Sequence, residues 1–110
     1  MLFNLSTGQV VAAVIETAES GTKAAKGLMG RKYIPDDYAF IIYKCNGIHT
    51  FFMRFNIDVI FLDNNRKVVH ICKNLSPWKT TGFIKDSMYV IELKAISEKG
   101  KVKKNDLLSW

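Results

Sequence analysis

Short apolar runs separated by polar breaks occupy the middle of this chain, and the runs have the length of strands rather than helices. Tyr38 to Tyr43, Ile57 to Leu62, Arg66 to Lys73 and Ser87 to Lys94 read as strands. Pro35-Asp36-Asp37, Asn46-Gly47, Asp63-Asn64-Asn65 and Ser76-Pro77 punctuate them as turns. In the run from Ile57, alternation sends Ile57, Val59 and Phe61 to one face and Asp58, Ile60 and Leu62 to the other. Both faces are largely apolar, so this strand is expected to be covered on two sides, with Asp58 half-buried.

The flanks are less regular. Gln9 to Glu16 alternates weakly and is β-branched enough for a strand at a sheet edge or barrel start. Ser20 or Thr22 can cap a short helix through Met29, with Ala24, Ala25 and Leu28 on one apolar face, Gly27 permitting a close approach and Arg31 near the helix end. Lys99-Gly100-Lys101 reads as a turn before a last strand or tail ending at Trp110. The predicted fold is mainly β, of the α+β kind: a small barrel or sandwich of six or seven short antiparallel strands with one short helix.

At 110 residues, 48% of them hydrophobic, the chain is a single domain over 1–110 with enough apolar surface for one core. Sixteen Lys and Arg against ten Asp and Glu give a net charge of +6 and a pI near 9.4, which favours anionic partners in a general way. The N-terminus has no positively charged leader, and the run Val10 to Ile15 is too short to span a membrane, so a cytoplasmic protein with reduced Cys45 and Cys72 is expected.

The stretch Gly47 to Asp63 carries the candidate chemistry, because it sets His49, Arg54 and Asp58 among apolar and aromatic side chains. A carboxylate in such a strand needs a cation or several donors to stay ionised, and Arg54 is its nearest cation in sequence. Phe52-Met53-Arg54, Ile57-Asp58 and Phe61-Leu62-Asp63 resemble the central signature of the domain of unknown function 192 family. Gly27-Leu28-Met29-Gly30-Arg31, Pro77-Trp78-Lys79 and Val90-Ile91-Glu92-Leu93 resemble that family's flanking motifs, and Asn56 stands where many relatives have proline. The resemblance implies small bacterial and archaeal β-rich proteins, often exported, with no settled activity, and it marks Arg31, Arg54, Asp58 and Glu92 as recurring positions.

Those four residues are the primary candidate site, either a polar pocket or a closed ion-pair network, with His49 and Lys79 as secondary candidates. In a pocket, the arginines would bind an anionic group and a carboxylate would orient it or shuttle a proton. Cys45, His49, His70 and Cys72 form a metal alternative with unusual local spacing, and Cys with His is raw material for a nucleophile pair. Gly21-Thr22-Lys23 lacks the upstream glycine of a phosphate loop. No cofactor fingerprint is present, and none is expected. Nucleic acid is argued against by lysines spread along the chain and by aromatics assigned to the core.

The expected function is therefore binding of a small anionic molecule or peptide. Its alternatives are an enzyme using the same Arg and carboxylate cluster, a nucleic-acid-binding module or a purely structural one.

Overall fold

In the computed structural model, residues 1–19, 22–95 and 101–110 are described. Eight strands and one helix lie among them: β1 (Leu2–Asn4), β2 (Gln9–Ala12), β3 (Val14–Ala18), α1 (Thr22–Lys26), β4 (Tyr38–Tyr43), β5 (Ile57–Leu62), β6 (Val68–Leu75), β7 (Tyr89–Lys94) and β8 (Leu108–Ser109). They form a three-stranded sheet of order β2-β1-β8 and a five-stranded sheet of order β3-β4-β7-β5-β6. The result is a sandwich-like pair of sheets rather than a closed barrel.

The larger sheet is apolar on both faces, as the reading of β5 requires. Ile60, Leu62, Ile91 and Leu93 pack against Leu2, Val11 and Ala12 of the small sheet. Ile57, Val59, Phe61, Phe40 and Val90 face the other way, towards Leu28, Ile34 and Met53 from the helix end and loops. Every residue of β5 is buried. Asp58 is therefore fully buried, not half-buried, at 0% exposure.

One predicted strand becomes two. The chain bends at Ala13, so Gln9–Ala12 joins the small sheet and Val14–Ala18 joins the large one. This second piece lies parallel to β4, which corrects the expectation of antiparallel strands throughout. A parallel partner needs a long crossover, and the segment holding α1 supplies it. That helix is shorter than its apolar spacing suggested and stops at Lys26, because Gly27 adopts a positive φ of 48° and its N–H closes on Lys23 O at 3.0 Å. Ser20 and Lys99-Gly100 lie outside the described residues.

At the C-terminal end, Trp110 Nε1 donates to Tyr43 Oη at 2.7 Å, and the Arg66 guanidinium sits 3.8 Å from a Trp110 ring centroid. These contacts fasten β8 against the edge of the core.

Candidate functional site: a cleft over a buried glutamate

β7 is the middle strand of the large sheet, between β4 and β5. Its Glu92 faces the side occupied by α1 and the loops, where apolar neighbours surround it, and it is 2% exposed. Among the described residues its Oε1 has no hydrogen-bond partner. Above it lies a cleft of about 260 Å³ between the Gly27–Met29 turn and the connection after β4. Leu28, Met29, Ile48 and Met53 provide apolar wall, while Lys26, Lys44 and Glu19 bring charge to it. Gly27 roofs the carboxyl: a Cβ there would stand 3.7 Å from Glu92 Oε1.

Burial pushes the Glu92 carboxyl up to about 8, and the field of the Arg31 guanidinium offsets this only in part. Near neutral pH the group is therefore mostly protonated. A neutral carboxyl offers one O–H donor and an acceptor in an apolar setting, where each is worth more than in water.

Arg31 lines a second recess, of about 500 Å³, which shares Lys26, Gly27 and Met29 with the cleft. Its guanidinium donates to Glu16 Oε1 and to Tyr38 Oη, both at 3.0 Å, and Tyr38 Oη donates to the same Glu16 oxygen. Burial works against the Arg31 charge, but the Glu16 and Tyr38 hydrogen bonds outweigh it and its affinity for the proton is raised. The Tyr38 hydrogen bond leads in holding Glu16 below the usual carboxylate range, and burial opposes it. Burial, with Glu16 as its acceptor, pushes Tyr38 to about 12. This triad is a satisfied ion-pair network beside the cleft.

The four primary candidates do not converge. Arg31 and Glu92 flank the same turn, but Asp58 accepts the Asn74 N–H at 2.8 Å inside the fold, and Arg54 is exposed. Among the described residues the Arg54 side chain makes no ion pair, so the nearest cation in sequence does not pair with Asp58. A run of neighbouring residues made the two look like partners. The strand direction sends Asp58 inward while the preceding loop leaves Arg54 in water.

Arg54→Met is accordingly expected to change stability by no more than about 0.5 kcal/mol, whereas Asp58→Ala, which strips the Asn74 N–H of its acceptor, should cost about 2 to 4 kcal/mol. Denaturant titration of both single variants and the double variant checks this. A coupling between them above about 1 kcal/mol would restore the pair.

His49 and Cys45 both line the cleft. The Cys45 thiol donates to Gly47 O at 3.2 Å, and burial pushes it up, so it is held as a thiol rather than as a nucleophilic thiolate. His70 and Cys72 lie on β6, with Nε2 and Sγ 3.4 Å apart, and burial likewise pushes the Cys72 thiol up. Cys45, His49, His70 and Cys72 do not close into one ligand set: among the described residues no three His, Cys, Asp or Glu side chains are grouped to hold a metal.

Two site residues escaped the sequence reading. Glu16 had a usable signal, a carboxylate in a β-branched run upstream of an isolated arginine. Thr50 had none. It is fully buried and bolts two loops together: its Oγ1 donates to Ser76 O at 2.6 Å and accepts the Lys79 N–H at 2.9 Å, while its carbonyl accepts the Trp78 N–H at 3.0 Å. Lys79, a secondary candidate, is thereby placed on an exposed loop outside the cleft lining.

The family model of DUF192, described as an uncharacterized ACR, matches residues 3–110. The chain belongs to the DUF192 family. A UPF0127 protein of Thermococcus kodakarensis is 31% identical over all of this chain and 73% of its own length. A UPF0127 protein of Pyrococcus furiosus is 31% identical over 99% of the chain and 97% of its own length. A crystal structure of a protein of unknown function from Novosphingobium aromaticivorans superposes with a TM-score of 0.84 at 22% identity, covering 99% of this chain and 81% of that one. The likeness shows that the two chains share a fold, and no specific function accompanies it. Among the described residues no helix is long and apolar enough to cross a membrane.

Proposed function

We propose that this DUF192 protein binds a small anionic molecule, or the anionic end of a peptide, in the cleft over Glu92. The observation that carries the reading is the unpartnered Glu92 Oε1 at the floor of a cleft that Lys26 and Lys44 also line. An unsatisfied buried polar atom is costly, and a ligand atom hydrogen-bonded to it recovers that cost. Protonated Glu92 donates to a carboxylate or phosphate oxygen, and Lys26 and Lys44, two cations against the single carboxylate of Glu19, supply charge complementarity. Arg31, already committed to Glu16, contributes field rather than contact. The size of the cleft suits a ligand of few atoms. Cytoplasmic residence is part of this proposal, since Cys45 and Cys72 are both free thiols.

The test is a panel of small carboxylates and inorganic phosphate, followed by NMR shifts of Met29, Ile48 and Met53. Binding is expected at pH 6.5 and should weaken at least about tenfold by pH 9, as Glu92 ionises and turns from donor to repulsive charge. Glu92→Gln keeps an N–H donor and should bind with that dependence removed. Affinity in the parent chain that is unchanged between these pH values would sink the proposal.

A further inference from the structure

The residues that the cleft leaves unused gather elsewhere. Phe51, Phe52, Trp78 and Phe83, which their hydrophobicity assigned to the core or left unplaced, are exposed by 39%, 62%, 59% and 89%. They lie on two loops, 44–56 and 76–88. Three of the rings form a row with His49: His49 stacks on Phe51 at 4.7 Å, Phe51 stacks on Trp78 at 5.8 Å, and Phe52 tilts against Trp78 at 4.7 Å.

The row is built rigidly. Thr50 locks the first loop to the second through the hydrogen bonds given above. Ile84 N–H donates to Asn46 O at 2.7 Å, and Thr81 N–H to Ile48 O at 3.0 Å. Phe52 and Trp78 are held at positive φ, 64° and 66°, a conformation that side chains of this size seldom adopt without an enforced surrounding. Strained backbone that presents large rings to water is a cost with no folding return.

Charge indicates what covers them. The loop 44–56 has no acidic residue and the loop 76–88 has one, Asp86, against the cations Lys44, Arg54, Lys79 and Lys85. The lysines that look scattered along the chain are thus partly gathered by the pairing of these two segments. Arg54 and Lys79 adjoin the ring row in sequence, and among the described residues neither side chain is in an ion pair. Exposed ring faces next to uncommitted cations match a strand that carries flat bases on an anionic backbone. A duplex hides its base faces and an acidic polysaccharide has no aromatic ring, so each satisfies half of this surface.

We infer that the paired loops bind single-stranded nucleic acid, with bases stacking on Phe52, Trp78 and Phe51 and phosphates meeting Arg54 and Lys79. The rings of Phe51, Phe52 and Trp78 do not line the cleft over Glu92, but the first loop borders both sites: its Lys44, Cys45, Gly47, Ile48, His49 and Met53 line the cleft.

The experiment is a fluorescence anisotropy titration of the full chain with labelled single-stranded oligonucleotides of about twelve nucleotides, as DNA and as RNA, across a salt series. Binding should be at least about tenfold tighter than to a duplex of equal length and should quench tryptophan fluorescence. Phe52→Ala should weaken it about tenfold with little change in salt slope, and Lys79→Gln should lower that slope by about one. Phe83→Ala tests the farther ring, and thermal melts establish that each variant is folded. Equal affinity for duplex, no loss in folded Phe52→Ala, or heparin binding as tightly with the same Phe52 dependence would each overturn the inference.

Discussion

Glu92→Gln is expected to be more stable than the parent protein at pH 8.5, by about 2 to 4 kcal/mol, and to match it within about 1 kcal/mol near pH 5. The sign follows from the direction of the shift. The carboxyl is raised from 4.5 in the unfolded chain to about 8 in the fold. Between those values the folded state binds more protons, so unfolding free energy falls as pH rises, by up to about 1.4 kcal/mol per unit. The penalty is complete above about pH 8 and absent below the unfolded value. Glutamine occupies nearly the same volume, cannot ionise and keeps a donor in place. The magnitude stays below the full interval because water and side chains rearrange around an ionised carboxylate. Urea titrations from pH 5 to 9 measure it directly. A parent stability that is flat over this range would mean that Glu92 has a compensating partner and is not the proton-holding floor of the cleft.

Gly47→Ala is the second large effect, with an expected loss of about 3 kcal/mol. A Cβ on Gly47 would stand 2.3 Å from the carbonyl oxygen of Gly82, and a backbone atom cannot swing aside as a side-chain tip can. The loop around Gly47 also cannot withdraw freely. Ile48 N–H donates to Thr81 Oγ1 and Ile84 N–H to Asn46 O, at 3.0 Å and 2.7 Å. Because Gly47 lines the cleft, ligand binding should fall with stability. Gly82→Ala is the control: its φ of 70° carries strain, but its Cβ would meet open space, so about 1 to 2 kcal/mol is expected. Losses that are equal in the two variants would place the cost in backbone strain rather than in the close approach.

The parts of the fold legible in the sequence were those where local pattern and burial coincide. β4 and β5 fall where the apolar runs put them, and the two faces of β5 enter two different packed clusters. The division of Gln9–Glu16 between two sheets was not legible, because Val and Ala suit either sheet and the bend at Ala13 is decided by what each half packs against. Nor was the parallel pairing of β3 with β4, which depends on the path of the whole crossover.

For the site, Glu92 was visible as a charge inside an apolar strand. Its lack of a partner is a property of three-dimensional neighbours. The aromatic residues misled most. Hydrophobicity says that Phe51, Phe52 and Trp78 would gain from burial, but the buried Thr50 anchors their loops facing outward, and a single threonine between a histidine and two phenylalanines carries no such signal.

The pairing of β8 with β1 has a consequence during synthesis. Phe3 faces Ser109 across that pair, and Leu5 N–H reaches Leu107 O at 2.8 Å. β1 therefore waits for β8, which supplies one flank of the small sheet and is made after the other described strands. Until then Leu2 and its neighbours lack part of their cover, and the exposed edge of β1 can pair with other chains. Between the synthesis of β1 and that of β8 the nascent chain thus carries an adhesive hairpin, and a chaperone that shields early strands would act on it there.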